Sequence, residues 1–192
     1  MNKSFTLIEL IFVIIITTLL GVAVMVFPDN SLTLARDKLM KNIRLTQTLA
    51  LLEDKYLDRP KNLQDVNNSK FWFKSFWQIY FTENNYTIFS DKAPFDGIPQ
   101  DSEIIINPLD RNKLIIKLDN NIHITSNLTN WQNRILFDNL GRPFYDVKTT
   151  NSNPFNFMIQ KSFQIKISKD SDSLCFQIEP ISGYIHNENC KF

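Results

Sequence analysis

Phe5-Thr6-Leu7-Ile8-Glu9-Leu10 stands directly behind a short leader, Met1-Asn2-Lys3-Ser4, and opens an apolar run that reaches Phe27. Glu9 is the only charge inside that run. At membrane depth a carboxylate costs about 2.5–3.5 kcal/mol, so a residue of this kind is kept for a purpose. The expected relief is a positive group close by. Residues 5–27 are expected to form a helix that spans a bilayer, since about 20 residues cover a hydrocarbon core ~30 Å thick. Lys3 and the amine of Met1 would hold the N-terminus in the cytoplasm and place the chain beyond Phe27 on the far side. A simple anchor or a cleaved signal peptide is the alternative, and Gly21-Val22-Ala23 even offers a small-x-small cleavage site. The four-residue leader and the acid inside the apolar core argue against both.

The same hexapeptide resembles the prepilin motif of type IV pilins and type II secretion pseudopilins. In that family an inner-membrane aspartic protease, the prepilin peptidase, removes the leader and methylates the new amine. Carried onto this chain, the resemblance implies a cut between Ser4 and Phe5, N-methylation of Phe5, and an assembly role for Glu9 opposite the N-terminal amine of a neighbouring subunit. The family usually has Gly before the cut, where this chain has Ser4. The implied fold is α+β and pilin-like, with a long N-terminal helix packed on an antiparallel β-sheet domain. The expected divisions are leader 1–4, transmembrane and assembly helix 5–27, amphipathic half of that helix 28–59, and periplasmic β-rich domain 60–192. The implied localisation is the bacterial inner membrane, single-pass, with the C-terminal domain in the periplasm and able to move into a pseudopilus.

Length and charge bound the rest. Of 192 residues about 165 follow the apolar run, enough for one domain with its own core. With 21 basic and 20 acidic residues the net charge is +1, which gives no electrostatic case for nucleic acid as a partner. Pro28 is expected to kink a continuous helix, about 80 Å long at 1.5 Å per residue. Beyond it Leu32, Ala35, Leu39, Ile43, Thr46 and Ala50 recur at three- and four-residue steps and form one apolar stripe, widened by Leu45, Leu49 and Leu52. Asp58-Arg59-Pro60 is expected to end it. From Phe71 to Thr82 the alternation reads as one long strand, turned at Asn84-Asn85 into Tyr86–Phe89. Further strands are expected at 103–106, 114–118, 122–126, 134–138, 163–168, 174–179 and 183–186, an antiparallel pattern.

Two stretches within the domain are similar to the GspH/FimT minor pseudopilins: Arg134-Ile-Leu-Phe-Asp-Asn-Leu-Gly-Arg-Pro143 and Phe176-Gln-Ile-Glu-Pro-Ile-Ser-Gly-Tyr-Ile185. Both also read as ordinary β-turns in which Gly141 and Gly183 supply positive φ. Cys175 and Cys190 face an oxidising compartment on the expected topology and are expected to be a disulfide, as in many pilins. Zinc on His123 and His186 lacks a C-x-x-C spacing. Asp170-Ser-Asp-Ser173 and Asp119-Asn-Asn121 lack the Gly and bidentate Glu of a dedicated calcium loop. No catalytic motif, metal or cofactor is read. The expectation is therefore a non-enzymatic minor pseudopilin of a type II secretion or type IV pilus-type machine. Its partners would be the prepilin peptidase, other pilin-like subunits and the inner-membrane assembly platform. The alternatives are a competence pseudopilin for DNA uptake and a membrane-anchored adhesin that never polymerises. Residues 131–192 carry seven basic and six acidic residues, too even a balance for strong duplex binding.

Overall fold

The computed structural model describes residues 6–25, 30–57, 70–108, 110–119, 121–147 and 153–191, with the backbone alone for 21–25. The chain divides into two units, residues 1–31 and 32–192.

The first unit contains helix α1, Leu7–Met25. Its side chains from Leu7 to Leu20 are all exposed. The expected long N-terminal helix is not what forms. Instead α1 has 19 residues, and a separate helix α2, Ser31–Leu52, has 22. Pro28 stands between the two, and proline lacks the N–H that would carry a helix through. At 1.5 Å per residue α1 is about 28 Å long, against a hydrocarbon core of about 30 Å. Among the described residues no helix is long and apolar enough to cross a membrane. The expected transmembrane helix and single-pass inner-membrane localisation are corrected accordingly.

The second unit is built mostly of β-structure, and this corrects the expected α+β class. Of the stripe read from the sequence, Leu32, Leu39, Ile43, Thr46 and Ala50 are buried in helix α2 and Ala35 is half-buried; Met40, not read as part of it, is buried as well, while Lys38, Lys41 and Arg44 are exposed. It ends at Leu52, short of Asp58, because the Asp54 carboxylate accepts the backbone N–H groups of Tyr56 and Leu57 and closes a turn there. Two antiparallel sheets follow. The strands are β1 (Trp77–Phe81), β2 (Asn85–Ser90), β3 (Ile115–Lys117), β4 (Ile122–Ser126), β5 (Arg134–Phe137), β6 (Pro143–Phe144), β7 (Phe163–Lys169), β8 (Asp172–Ile178) and β9 (Ile185–Glu188). One sheet runs β3-β2-β1-β5-β6 and the other β4-β7-β8-β9. The 103–106 stretch contributes only isolated bridges, at Ile104 and Ile106.

One core gathers Leu39, Met40, Ile43 and Ala50 of α2 with Ile79, Tyr86, Ile88, Ile135 and Phe137 of the first sheet and Ile165, Phe176, Ile178 and Ile185 of the second, while Leu32 packs separately with Ile122 and Ile167. Strand β5 is covered on both faces. Ile135 and Phe137 enter that core, and Leu136 points to a second cluster with Phe73, Phe76, Phe144 and Val147. This second cluster corrects the expected long strand from Phe71. Residues Trp72–Ser75 form a 3-10 turn, with Lys74 N–H donating to the Phe71 carbonyl and Phe76 N–H to that of Phe73. The turn lets Phe73 and Phe76 fold under the sheet, where Phe76 meets the Phe144 ring at 5.3 Å. Alternation in that segment reflects aromatic packing on the far face of the sheet, and the strand itself starts at Trp77.

Candidate functional site

Ser4 and Phe5, the residues of the expected cut, lie outside the described residues. Glu9 is described, and its partner lies within its own turn. The Thr6 backbone N–H and the Thr6 hydroxyl both donate to Glu9 Oε2 at 2.9 Å, and Glu9 N–H donates back to the Thr6 hydroxyl at 3.4 Å. This is a reciprocal capping box, in which two otherwise unpaired groups at a helix start satisfy each other. The Thr-x-x-Glu spacing of residues 6–9 was visible in the sequence and carries this reading on its own. The expectation that Glu9 depends on a neighbour's amine for relief is thus qualified: an exposed carboxylate already holds two donors of its own chain.

Cys175 and Cys190 form a disulfide, with Cα atoms 5.1 Å apart. Cys175 lies in β8 opposite Glu188 of β9, so the bridge ties the C-terminal segment back to the strand beside it. Gln164 of β7 holds the same segment a second time. Its Nε2 donates to the Asn189 carbonyl, and its Oε1 accepts Lys191 N–H. Closing a loop of 15 residues contributes about 3 kcal/mol on the chain-entropy account.

The two glycine turns, far apart in sequence, meet at one side chain. Gln47 Nε2 donates to the carbonyl of Gly141 at 2.9 Å and to that of Ser182 at 2.8 Å. Gly141 (φ +75°) and Gly183 (φ +62°) both need the left-handed region. A Cβ on Gly183 would lie 2.5 Å from the Gly141 carbonyl oxygen and from Gln47 Nε2. Space as well as conformation therefore requires glycine there. The Asp138 carboxylate completes the first turn. It accepts Leu140 N–H and Arg142 N–H and pairs with the Arg142 guanidinium at 2.6 Å. Neither Gln47 nor this convergence was read from the sequence, because a half-buried glutamine on a helix gives no signal of its distant partners.

His123 and His186 sit on β4 and β9, the two outer strands of one sheet, with β7 and β8 between them. His186 hydrogen-bonds Glu179 at 2.9 Å and stacks on Tyr184. That bond to Glu179 holds the imidazole above its usual pKa and, with the Gln177 amide, the carboxylate below its own. Asn121 and Asp170, one from each stretch considered for calcium, are neighbours, with Asn121 Nδ2 donating to Asp170 Oδ1 at 3.3 Å. Among the described residues no group of three or more His, Cys, Asp and Glu is arranged to hold a metal ion.

A buried charged cluster escaped the sequence reading altogether. Arg134, at the start of an apolar strand, is 2 % exposed. Its guanidinium donates to Gln78 Oε1 and to the Gly97 carbonyl, both at 2.9 Å, and lies 4.8 Å from the Tyr80 ring centre. Asp91 Oδ2 accepts Gly97 N–H at 2.8 Å, so one residue of the 91–103 loop is gripped from both sides. Glu103 closes the same loop by accepting the N–H groups of Lys92 and Gln100. Burial pushes the Asp91 carboxyl up to about 6 against the pull of the Gly97 N–H, and it holds Arg134 below its ordinary value. The cluster is a structural clamp that holds the loop backbone at Gly97 from both sides, while Asp91 Oδ1 and Arg134 Nε are buried without a hydrogen-bond partner among the described residues.

Comparison with family models, with curated proteins and with solved structures returned no match.

Proposed function

We propose that this chain is a prepilin-type structural subunit, a minor pseudopilin of a type II secretion or type IV pilus-type machine. On this reading a prepilin peptidase cuts between Ser4 and Phe5 and methylates the Phe5 amine, and the mature chain joins a pilus-like filament of sibling subunits. The observation that carries the proposal is the stretch Phe5–Leu10, with its lone carboxylate at Glu9 near the head of an apolar run. The exposure of α1 supports it. A helix that is apolar on all sides seeks cover from other apolar surfaces, and α1 of neighbouring copies or sibling subunits is such a surface. The capping box sits comfortably with this role, because it holds the Glu9 carboxylate near the end of the helix where the new amine would arise.

The test is the intact mass of the protein purified from its native cells. The expected product lacks residues 1–4 and carries one added methyl group. A mature N-terminus at Val24, after the small-x-small site, would instead show signal-peptidase cleavage and end the filament reading.

A further inference from the structure

Outside the N-terminal motif and the clamp, one cleft of about 440 Å³ opens between two well-anchored segments. One wall is the loop after β4, residues 127–130. The other is the segment 156–163 that leads into β7. The volume falls within the range of sites that take small molecules, about 300–1,000 Å³.

The composition of the lining decides what fits. No carboxylate lines the cleft, and its one charge is Lys161. That leaves a cation without a carboxylate to hold it and makes a polyanion a poor match. The rim is neutral and polar: Thr129, Asn130, Asn156 and Gln160 are all exposed, and none spends its side chain on a hydrogen bond within the described protein. The floor is apolar, with Phe163 and Ile159 buried and the half-buried Tyr145 ring beside them. Amides and hydroxyls both donate and accept, and they surround an aromatic and aliphatic base. That is the complement of a molecule with hydroxyls at its edges and C–H faces above and below.

The walls are fixed before any ligand arrives. Asn127 Oδ1 accepts Gln164 N–H, Ser126 Oγ donates to the Gln164 carbonyl, and Leu128 N–H donates to Ser126 Oγ. On the other side Tyr145 N–H donates to the Phe157 carbonyl and Ile159 N–H to that of Pro143. A rim ordered in advance avoids part of the entropic cost of binding. We infer that this cleft binds a short neutral oligosaccharide, held by the amides of Asn130, Asn156 and Gln160 at its hydroxyls and by Tyr145 on a sugar face.

The test uses the full-length chain, titrated calorimetrically with maltotriose and with chitotriose as probes for plain and N-acetylated sugars. At least one should bind saturably with a dissociation constant of about a millimolar or tighter. Asn156→Ala and Gln160→Ala should each weaken it by about fivefold, the loss of one or two exchanged hydrogen bonds, while the melting temperature stays unchanged. The inference falls if neither sugar binds, if both variants bind as the parent does, or if a neutral Gly-Ser-Asn peptide binds where the sugars do not.

Discussion

Replacing Asp91 by Asn tests the buried clamp directly. Asp91 is 1 % exposed, and only one of its carboxylate oxygens has a hydrogen-bond partner among the described residues, the Gly97 N–H. Burial, with the nearby Glu103 and Asp96 charges, raises its pKa from 3.8 to about 6. The folded chain therefore binds a proton that the unfolded chain has already lost over the window from about 4 to about 6. The contribution of Asp91 to stability is fully present below pH 4 and is lost as pH rises through 6. A shift of roughly two pH units at 1.36 kcal/mol each amounts to about 3 kcal/mol at neutral pH. Asparagine is neutral throughout, keeps an oxygen for Gly97 N–H, and supplies two donors. Asp91→Asn should thus be about 2–3 kcal/mol more stable than the parent at pH 7.5 and equal to it near pH 4. Urea unfolding midpoints of both proteins between pH 4 and pH 8 measure the difference, and the other titrating groups cancel in it. A variant that is less stable at pH 7.5, or a difference that does not change with pH, would refute the argument. The first result would show Asp91 acting as the ionised partner of Arg134, and the second would show that its carboxyl titrates alike in the folded and unfolded chain.

Gly183→Ala should destabilise the second unit by about 2–3 kcal/mol, from the left-handed backbone and loss of the Gln47 bridge. A urea midpoint corresponding to less than about 0.5 kcal/mol would mean the two turns separate without cost. Cys175→Ser should release a free thiol at Cys190 and cost about 3 kcal/mol; two reactive thiols in the native parent would contradict the disulfide. Glu9→Gln keeps the capping box, since Gln serves at that position, but removes the charge, whereas Glu9→Ala loses both. If Glu9 is a docking charge, both variants should be processed normally yet fail to co-purify with the major filament subunit. Assembly by the Gln variant alone would leave Glu9 as a cap and nothing more.

The sequence by itself determined the features whose physics is local. The three- and four-residue spacing from Leu32 to Ala50 marked the buried face of α2, because a helix repeats every few residues whatever surrounds it. Residues 122–126 are bounded as read, and the β7 and β8 stretches shift at their ends by one or two residues. The cysteine pair was legible because two cysteines alone in a chain leave one pairing. Tertiary structure decided whatever depends on partners distant in sequence. Phe71–Phe76 alternates as a strand does, yet a second cluster under β5 draws it into a 3-10 turn. Nothing in the sequence marks Arg134 at the head of β5 as buried, but the 91–103 loop folds over it and supplies the Gly97 carbonyl that, with Gln78 Oε1, satisfies its guanidinium. Pro28 was expected to kink one continuous helix, whereas α1 ends at Met25 and α2 starts at Ser31, with residues 26–29 outside the described residues. Gly141 and Gly183 each announced a turn, but that one glutamine joins them follows only from the packing of α2 across both sheets.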